Sequence, residues 1–353
     1  MPYFSLTSFS PWLAALACLV AAPARAGITY QEVTVGNAGN ASDTRVGANT
    51  SGFGSVAYDY QIGKYDVTIG QYTAFLNAVA ATDTHSLYNS EMLSDRNIMG
   101  IVRHGVSGSH SYSVVGSANC PITYVSWWDS ARFSNWMANG QPTGAQTSTT
   151  TENGAYNVNG ATTGNRVAKN VANPNTSAAP TFFLPTENEW YKAAYYSPTY
   201  GGVGVPGYYA YATQSDTAPG NHVGSSANQA NYNNGVFSVT QESYLSPSTN
   251  YLTDVGDFSG SGSFYGTFDQ SGNVYQWNDL NGAAPSRGLR GGDWYAGGVS
   301  SSTSDSFYPS DELRLIGFRL ASPVAVPEPS TWVMGAVGLA CVGWGAWRRR
   351  YAR

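Results

Sequence analysis

Apolar positions recur along this chain in two rhythms. At three places a hydroxyl residue is followed, three positions later, by a side chain able to reach back and cap it. A stripe with helical spacing then begins. Thr68-Ile69-Gly70-Gln71 opens a stripe of Ile69, Tyr72, Phe75, Leu76 and Val79. Ser126-Trp127-Trp128-Asp129 precedes Ala131, Phe133, Trp136 and Met137. Thr186-Glu187-Asn188-Glu189, introduced by Pro185, precedes Trp190, Ala193 and Ala194. Short alternating pieces read as strands at 58–62 and 64–67, with late strands at 289–290 and 316–320. Between them, 138–180 is rich in Thr, Asn, Gly and Ala, and 196–265 in Gly, Ser, Tyr and Asn. Both are too long for plain loops and imply hairpins or ion-stabilised irregular structure. No internal repeat is visible. The expectation is an α+β, loop-rich domain with few helices and short strands.

The two ends read as addresses. Residues 1–26 carry an apolar run, Pro11 to Val20, and close on Ala24-Arg25-Ala26, a small-x-small signal-peptide cleavage pattern that places the mature start at Gly27. Cys18 also admits a lipoprotein reading, against which Ala15 stands where a large aliphatic residue is usual; a buried N-terminal helix is the plainer alternative. At the other end, Val326-Pro327-Glu328-Pro329-Ser330 precedes 17 uncharged residues, Thr331 to Trp347, and an arginine cluster at Arg348, Arg349, Arg350 and Arg353. The apolar run is at the short limit for a bilayer span, and the arginines would stay cytoplasmic. The domain limits expected are therefore 1–26, 27–325 (core about 55–322) and 326–353.

Composition narrows the function classes. Charged residues make up 11% of the 353, well below the roughly 25% usual in soluble globular proteins, while Gly 40 and Tyr 25 are high. That balance suits an exported, loop-rich domain, and the aromatic content excludes disorder throughout. The formal net charge is −5, and five of the 17 basic residues (Arg25 and the four tail arginines) lie in the terminal segments. The region between is more acidic still, which excludes nucleic acid as a partner. Of three cysteines, Cys18 and Cys341 lie in the apolar ends, leaving Cys120 alone in the middle. One thiol makes neither an intramolecular disulfide nor a cysteine-based zinc site.

Six segments then point to a family. Gly63-Lys64-Tyr65-Asp66-Val67-Thr68 is similar to its "GxYEVT" entry, and Pro121 to Trp127 with Asp129, Ala131 and Trp136 to its "PVxxVSWxDA" helix. Phe183 to Trp190 is similar to "RLPTEAEWE", Gly272 to Trp277 to "GNVWEW", Leu289 to Trp294 to "LRGGSW", and Gly317-Phe318-Arg319 to the terminal "GFR". In this order over roughly residues 55–322, they resemble the formylglycine-generating enzyme (sulfatase-modifying factor) family, a variant of the C-type lectin fold. The tail resembles the PEP-CTERM sorting signal of Gram-negative bacteria, which implies an exosortase-type protease as partner and membrane attachment only through the tail before processing.

The resemblance carries expectations about chemistry. Active members bind copper(I) through two cysteines, soft ligands of the kind that ion requires. Those positions here are Ala296 and Ser301, and the family's active-site serine is matched by Asp293. The oxidase activity, and copper with it, is therefore not expected. The resemblance implies a calcium site at Asp269, Gly272, Val274 and Gln276, with Gln in place of the family's Glu, and a second beginning at Asn231 and Tyr232. His85, His104, His110 and His222 show no metal spacing, and Cys120 reads as a small buried residue. The leading expectation is an exported, envelope or extracellular binding or structural protein, with an extracellular glycan or protein as ligand. The alternative is a formylglycine-generating-type or other metal-dependent oxidoreductase using an unrecognised site.

Overall fold

All three capping boxes form with both reciprocal bonds. The computed structural model of the protein describes residues 27–46, 50–164, 167–279 and 286–324; the signal-peptide reading at 1–26 and the sorting tail at 326–353 lie outside these. Thr68, Ser126 and Thr186 accept the backbone N–H groups of Gln71, Asp129 and Glu189 at 3.2, 3.1 and 3.2 Å. The Gln71, Asp129 and Glu189 side chains accept the cap N–H in return at 3.0, 2.9 and 2.7 Å. These caps start α1 (Ile69–Val79), α3 (Trp127–Ala138) and α4 (Glu187–Tyr195). A one-turn helix, α2 (Glu91–Ser94), has no side-chain cap bond and left no signal in the sequence. No helix among the described residues is long and apolar enough to cross a membrane.

The strands are short: β1 (Glu32–Val35), β2 (Tyr60–Gly63), β3 (Ile101–His104), β4 (Ser111–Val114), β5 (Tyr196–Ser197) and β6 (Gly207–Tyr208) in the first part. They are followed by β7 (Tyr275–Asn278), β8 (Arg287–Arg290), β9 (Ser304–Phe307), β10 (Ile316–Phe318) and β11 (Ala321–Pro323). One sheet has the order β1-β2-β11 and is antiparallel. The other has the order β10-β7-β8-β9, with β10 parallel to β7 and the rest antiparallel. Hairpins β3–β4 and β5–β6 stand beside them. The arrangement is α+β and loop-rich, with few helices and short strands, as expected.

Two expected strands come out differently. Residues 64–67 do not pair as a ladder; Lys64 N–H donates to Gln31 at 2.8 Å and Val67 N–H to Phe318 at 2.9 Å, single bonds to different strands. The expected strand 316–320 splits after Phe318, because Arg319 turns its side chain inward and Leu320 passes to the other sheet, its carbonyl accepting Gly63 N–H at 2.8 Å. The long Asn-rich stretches are held mainly by side chains bonding to backbone. Asn135 Nδ2 reaches the carbonyls of Thr151 and Tyr156 at 2.7 and 2.9 Å, and Asn175 Nδ2 that of Ser148 at 2.8 Å. Asparagine's paired donor and acceptor replaces the missing ladder partners.

The core gathers on α3, where every residue is buried. Phe133 packs its ring against Tyr72 and Phe75 of α1, Trp136 one turn on, and Phe318 of β10, at centroid distances of 5.2–6.1 Å. Rings at these separations add to the area they remove from water. We expect Phe133→Ala to cost about 3–5 kcal/mol in chemical denaturation, since four rings cannot close over the void. A cost under about 1 kcal/mol would show that this cluster is not the junction of α1, α3 and β10.

Candidate functional site

The segment after β8 is built by a tight turn and three ordered contacts. Gly291 and Gly292 both have positive φ, 106° and 75°, and a Cβ on Gly292 would collide with the carbonyl of Gly298, so only glycine fits. Asp293 is buried, and its Oδ1 accepts the N–H groups of Tyr295 and Ala296 at 2.7 and 2.8 Å. It closes this turn. Burial raises its pKa, with the two N–H groups and Arg314 acting against that rise. Trp294 lies flat on Tyr251, centroids 5.0 Å apart, and pins the segment to the core.

Ser301 sits in a network of a different kind. Its N–H donates to Ala210 at 2.7 Å, its carbonyl accepts Arg290 Nη1 at 2.9 Å and its Oγ accepts Arg45 Nη2 at 3.2 Å. Arg45 is held by Asp43 at 2.5 Å, and Tyr191 donates to the same carboxylate at 2.7 Å. Arg290 pairs with Glu187 at 2.7 Å and lies over the rings of Phe53 and Tyr191. Asp293, Ala296 and Ser301 therefore serve turn closure and cross-linking, and no thiol stands among them. Cys120 lies elsewhere: it is buried, its Sγ is 3.4 Å from Asp254 Oδ1 and 3.7 Å from the Leu252 carbonyl, and burial raises its pKa, keeping it a thiol.

The residues expected to bind calcium lie on one loop, where the Asp269 and Gln276 side-chain oxygens already accept hydrogen bonds within the protein. Asp269 has φ 59°, and its Oδ2 accepts Gly256 N–H at 2.8 Å. Gly272, at φ 97°, lets the backbone pass the Asn231 carbonyl, where any Cβ would clash. Val274 is buried in the core, its N–H bonded to the Gly272 carbonyl at 3.0 Å. Gln276 points inward: its Oε1 accepts Trp190 Nε1 and Arg319 Nε, both at 2.6 Å, and its Nε2 donates to the Asp269 carbonyl at 2.8 Å. With two N–H groups on it and a guanidinium beside it, that oxygen does not fit a cation ligand. At the second expected site two of the groups are likewise bonded within the protein. Asn231 turns its Nδ2 toward Tyr251 and Asn273, and the Tyr232 carbonyl accepts Ser238 Oγ at 3.2 Å. Among the described residues no three His, Cys, Asp or Glu side chains are grouped for a metal.

What sequence reasoning missed is the role of Arg319, quoted there only within the GFR motif. It is fully buried and, besides Gln276, donates to the carbonyls of Gly63 and Phe268 at 2.9 and 2.7 Å and to Asp66 Oδ1 at 3.1 Å. Burial pushes Asp66 up to about 8 and Asp269 up to about 6, with Arg319 opposing both shifts. The signal available in the sequence was the order of an acid in the first motif and an arginine in the last.

The sulfatase-modifying factor enzyme 1-like domain family matches residues 30–324, and the PEP-CTERM protein-sorting motif matches residues 325–350. No curated protein matches the chain significantly. Among solved structures, the Treponema denticola variable protein 1 aligns at 16% identity over 83% of this chain and 95% of its own, with a TM-score of 0.50. CarF aligns at 22% identity over 84% and 99%, TM-score 0.47, and PvdO from Pseudomonas aeruginosa at 17% over 84% and 92%, TM-score 0.41. These likenesses concern the fold alone.

The buried acids give a pH prediction with a definite sign. An acid whose folded pKa is raised keeps a proton that the unfolded chain has released. Its stabilisation is complete below the unfolded value and is lost as pH rises through the folded one. The melting temperature should fall as pH climbs from about 4, the unfolded value, to about 8, with the Asp269 share of the fall complete near 6. Asp269→Asn, which keeps the acceptor for Gly256, should flatten the lower part of that slope, and Asp66→Asn the upper part. Melting curves at constant ionic strength check this; unchanged slopes in both variants would refute it. Calcium added after chelation should leave the wild-type curve in place, and a rise of several degrees would show that Asp269 and its neighbours rearrange around an ion.

Proposed function

The chain belongs to the family of sulfatase-modifying factor enzyme 1-like domains, and from that premise we propose that it is an exported, surface-sorted member that binds a ligand and does not oxidise one. The supporting observation is the use made of three positions. A copper(I) oxidase site needs two thiolates there. This chain has a methyl group at Ala296, a hydroxyl held by Arg45 at Ser301, and a turn-closing carboxylate at Asp293. The rigid turn they form has become scaffold for the surface around it, as happens when one fold carries many functions.

The PEP-CTERM motif indicates export and sorting to the envelope. On this reading the signal peptide ends at residue 26 and an exosortase-type protease removes the tail near Pro327-Glu328-Pro329. The apolar segment 331–347 anchors the protein only until then.

Two measurements test the proposal. Incubated with copper(I), O2 and a cysteine peptide of the sulfatase type, the purified full-length chain should leave the peptide mass unchanged. Aldehyde formation would refute the binding reading, and its loss in Cys120→Ala would place the chemistry at that thiol. In cells with the cognate protease, mass spectrometry of the envelope or medium fraction should find the protein without Arg348–Arg353. Retention of those arginines throughout would point to a permanent anchor.

A further inference from the structure

The segment 41–45 and the β5–β6 hairpin enclose an open cavity of about 430 Å³ beside the Arg45–Ser301 network. This is within the range of small-ligand sites. Its walls combine two surfaces of different chemistry. On one side are aromatic and aliphatic faces. Tyr200 is 37% exposed and Val205 52%, while Tyr196 and Tyr208, crossed edge to face at 5.2 Å, form the buried back wall. On the other side are the exposed Thr44 and the Arg45 guanidinium, with 34% of its side chain in solvent.

The apolar side is fixed before any ligand arrives. Tyr200 is clamped by its hydroxyl, which donates to Asp216 Oδ2 at 2.8 Å, and by Tyr209, whose ring meets it edge to face at 4.9 Å. The hairpin tip is tied by Gly201 N–H to Val205, Gly202 N–H to Thr199 and Val205 N–H to Gly202, at 2.9, 3.0 and 3.1 Å. Gly207 has no room for a Cβ, which would collide with the Tyr200 ring, so the ring lies directly on the strand. A platform held this way loses little entropy on binding.

The polar side limits what can bind. Arg45 Nε and Nη2 are committed to Asp43, Tyr209 and Ser301, while Nη1 has no hydrogen bond among the described residues. Its charge is already balanced by Asp43, so the cavity offers a directional donor with little net attraction for an anion. The exposed Thr44 hydroxyl can donate or accept. A flat apolar face opposite a few neutral donors and acceptors is complementary to a pyranose ring, whose C–H face and hydroxyl rim have that same division.

We propose that this cavity binds one neutral pyranose unit of an extracellular polysaccharide, its C–H face on Tyr200 and its hydroxyls at Arg45 Nη1 and Thr44. This deepens the binding reading above and rests on it.

The test uses the full-length chain in a detergent without a sugar headgroup. Methyl glycosides of glucose, galactose and mannose, with glucuronic acid for comparison, are titrated by isothermal calorimetry and by protein-observed NMR. At least one neutral glycoside should bind saturably and more tightly than glucuronic acid. Tyr200→Ala should weaken it about tenfold, as expected for loss of one aromatic platform. Val205→Trp, which fills the cavity from an exposed position, should abolish it, and Tyr244→Ala, at a tyrosine outside the cavity, should leave it unchanged. Absence of saturable binding by all three neutral glycosides, tighter binding of glucuronic acid, or equal loss in Tyr200→Ala and Tyr244→Ala would each overturn the proposal. The peptide-oxidation assay separates the two claims. If the peptide stays unoxidised and no glycoside binds, the sugar site alone falls; if the peptide is oxidised, the binding reading falls as well.

Discussion

The fold is organised around a single buried cation, the guanidinium of Arg319. It joins the end of β2 through the Gly63 carbonyl, the segment after it through Asp66, the loop before β7 through the Phe268 carbonyl, and β7 itself through Gln276. No other side chain offers five N–H donors in a rigid plane, so no other could tie four segments at once. The cost is desolvation of the charge, and a guanidinium there without acceptors would be prohibitive. The Gly63 and Phe268 carbonyls, Gln276 Oε1 and Asp66 Oδ1 accept its N–H groups and offset part of that cost. Gln276 fits this balance because it contributes an acceptor without adding a negative charge to a site already close to Asp66 and Asp269.

The same device recurs where the chain lacks sheet. Arg132 pairs with Glu152 at 2.8 Å and reaches the Ala161 carbonyl at 2.8 Å, fixing the Asn- and Thr-rich stretch to α3. Arg290 pairs with Glu187 at the start of α4 and holds the Ser301 carbonyl. In both pairs the arginine is fully enclosed and the acid nearly so. Breaking such a pair on one side typically costs about 3–5 kcal/mol, because the remaining charge is stranded. A chain with few charges has thus placed several of them inside, as cross-links between loops. Among the large side chains left exposed are Tyr58, Tyr200, Tyr244, Tyr295 and Tyr308, which suits a binding surface on fixed loops.

This arrangement also accounts for the fate of the 293–301 segment. A reactive site needs thiolates near a substrate path, whereas here Arg45 and Arg290 approach Ser301 from two sides and Asp293 spends its carboxylate on its own turn. The glycines and Trp294 keep the backbone course, so the turn persists while its side chains do different work. The cavity beside it lies between the Arg45 segment and the β5–β6 hairpin.

Much of the architecture was legible from residues 68, 126 and 186 onward. A capping box is a local interaction, and the apolar stripe behind each is set by helical period alone. The family motifs likewise read directly, since each is a short run of residues. Strand pairing was not legible: β7 lies between β8 and the parallel β10, and the piece at 64–67 forms no ladder, because pairing depends on which distant segment supplies the partner. Nor could the sequence give the orientation of Gln276. Its position on the GNVYQW loop suggested an oxygen facing an ion, and only the placement of Arg319, 43 residues later, turned that oxygen inward. Local chemistry was determined by the sequence alone. Which charge would meet which acceptor was decided by tertiary structure, because a buried cation selects its partners from whatever the whole fold brings within reach.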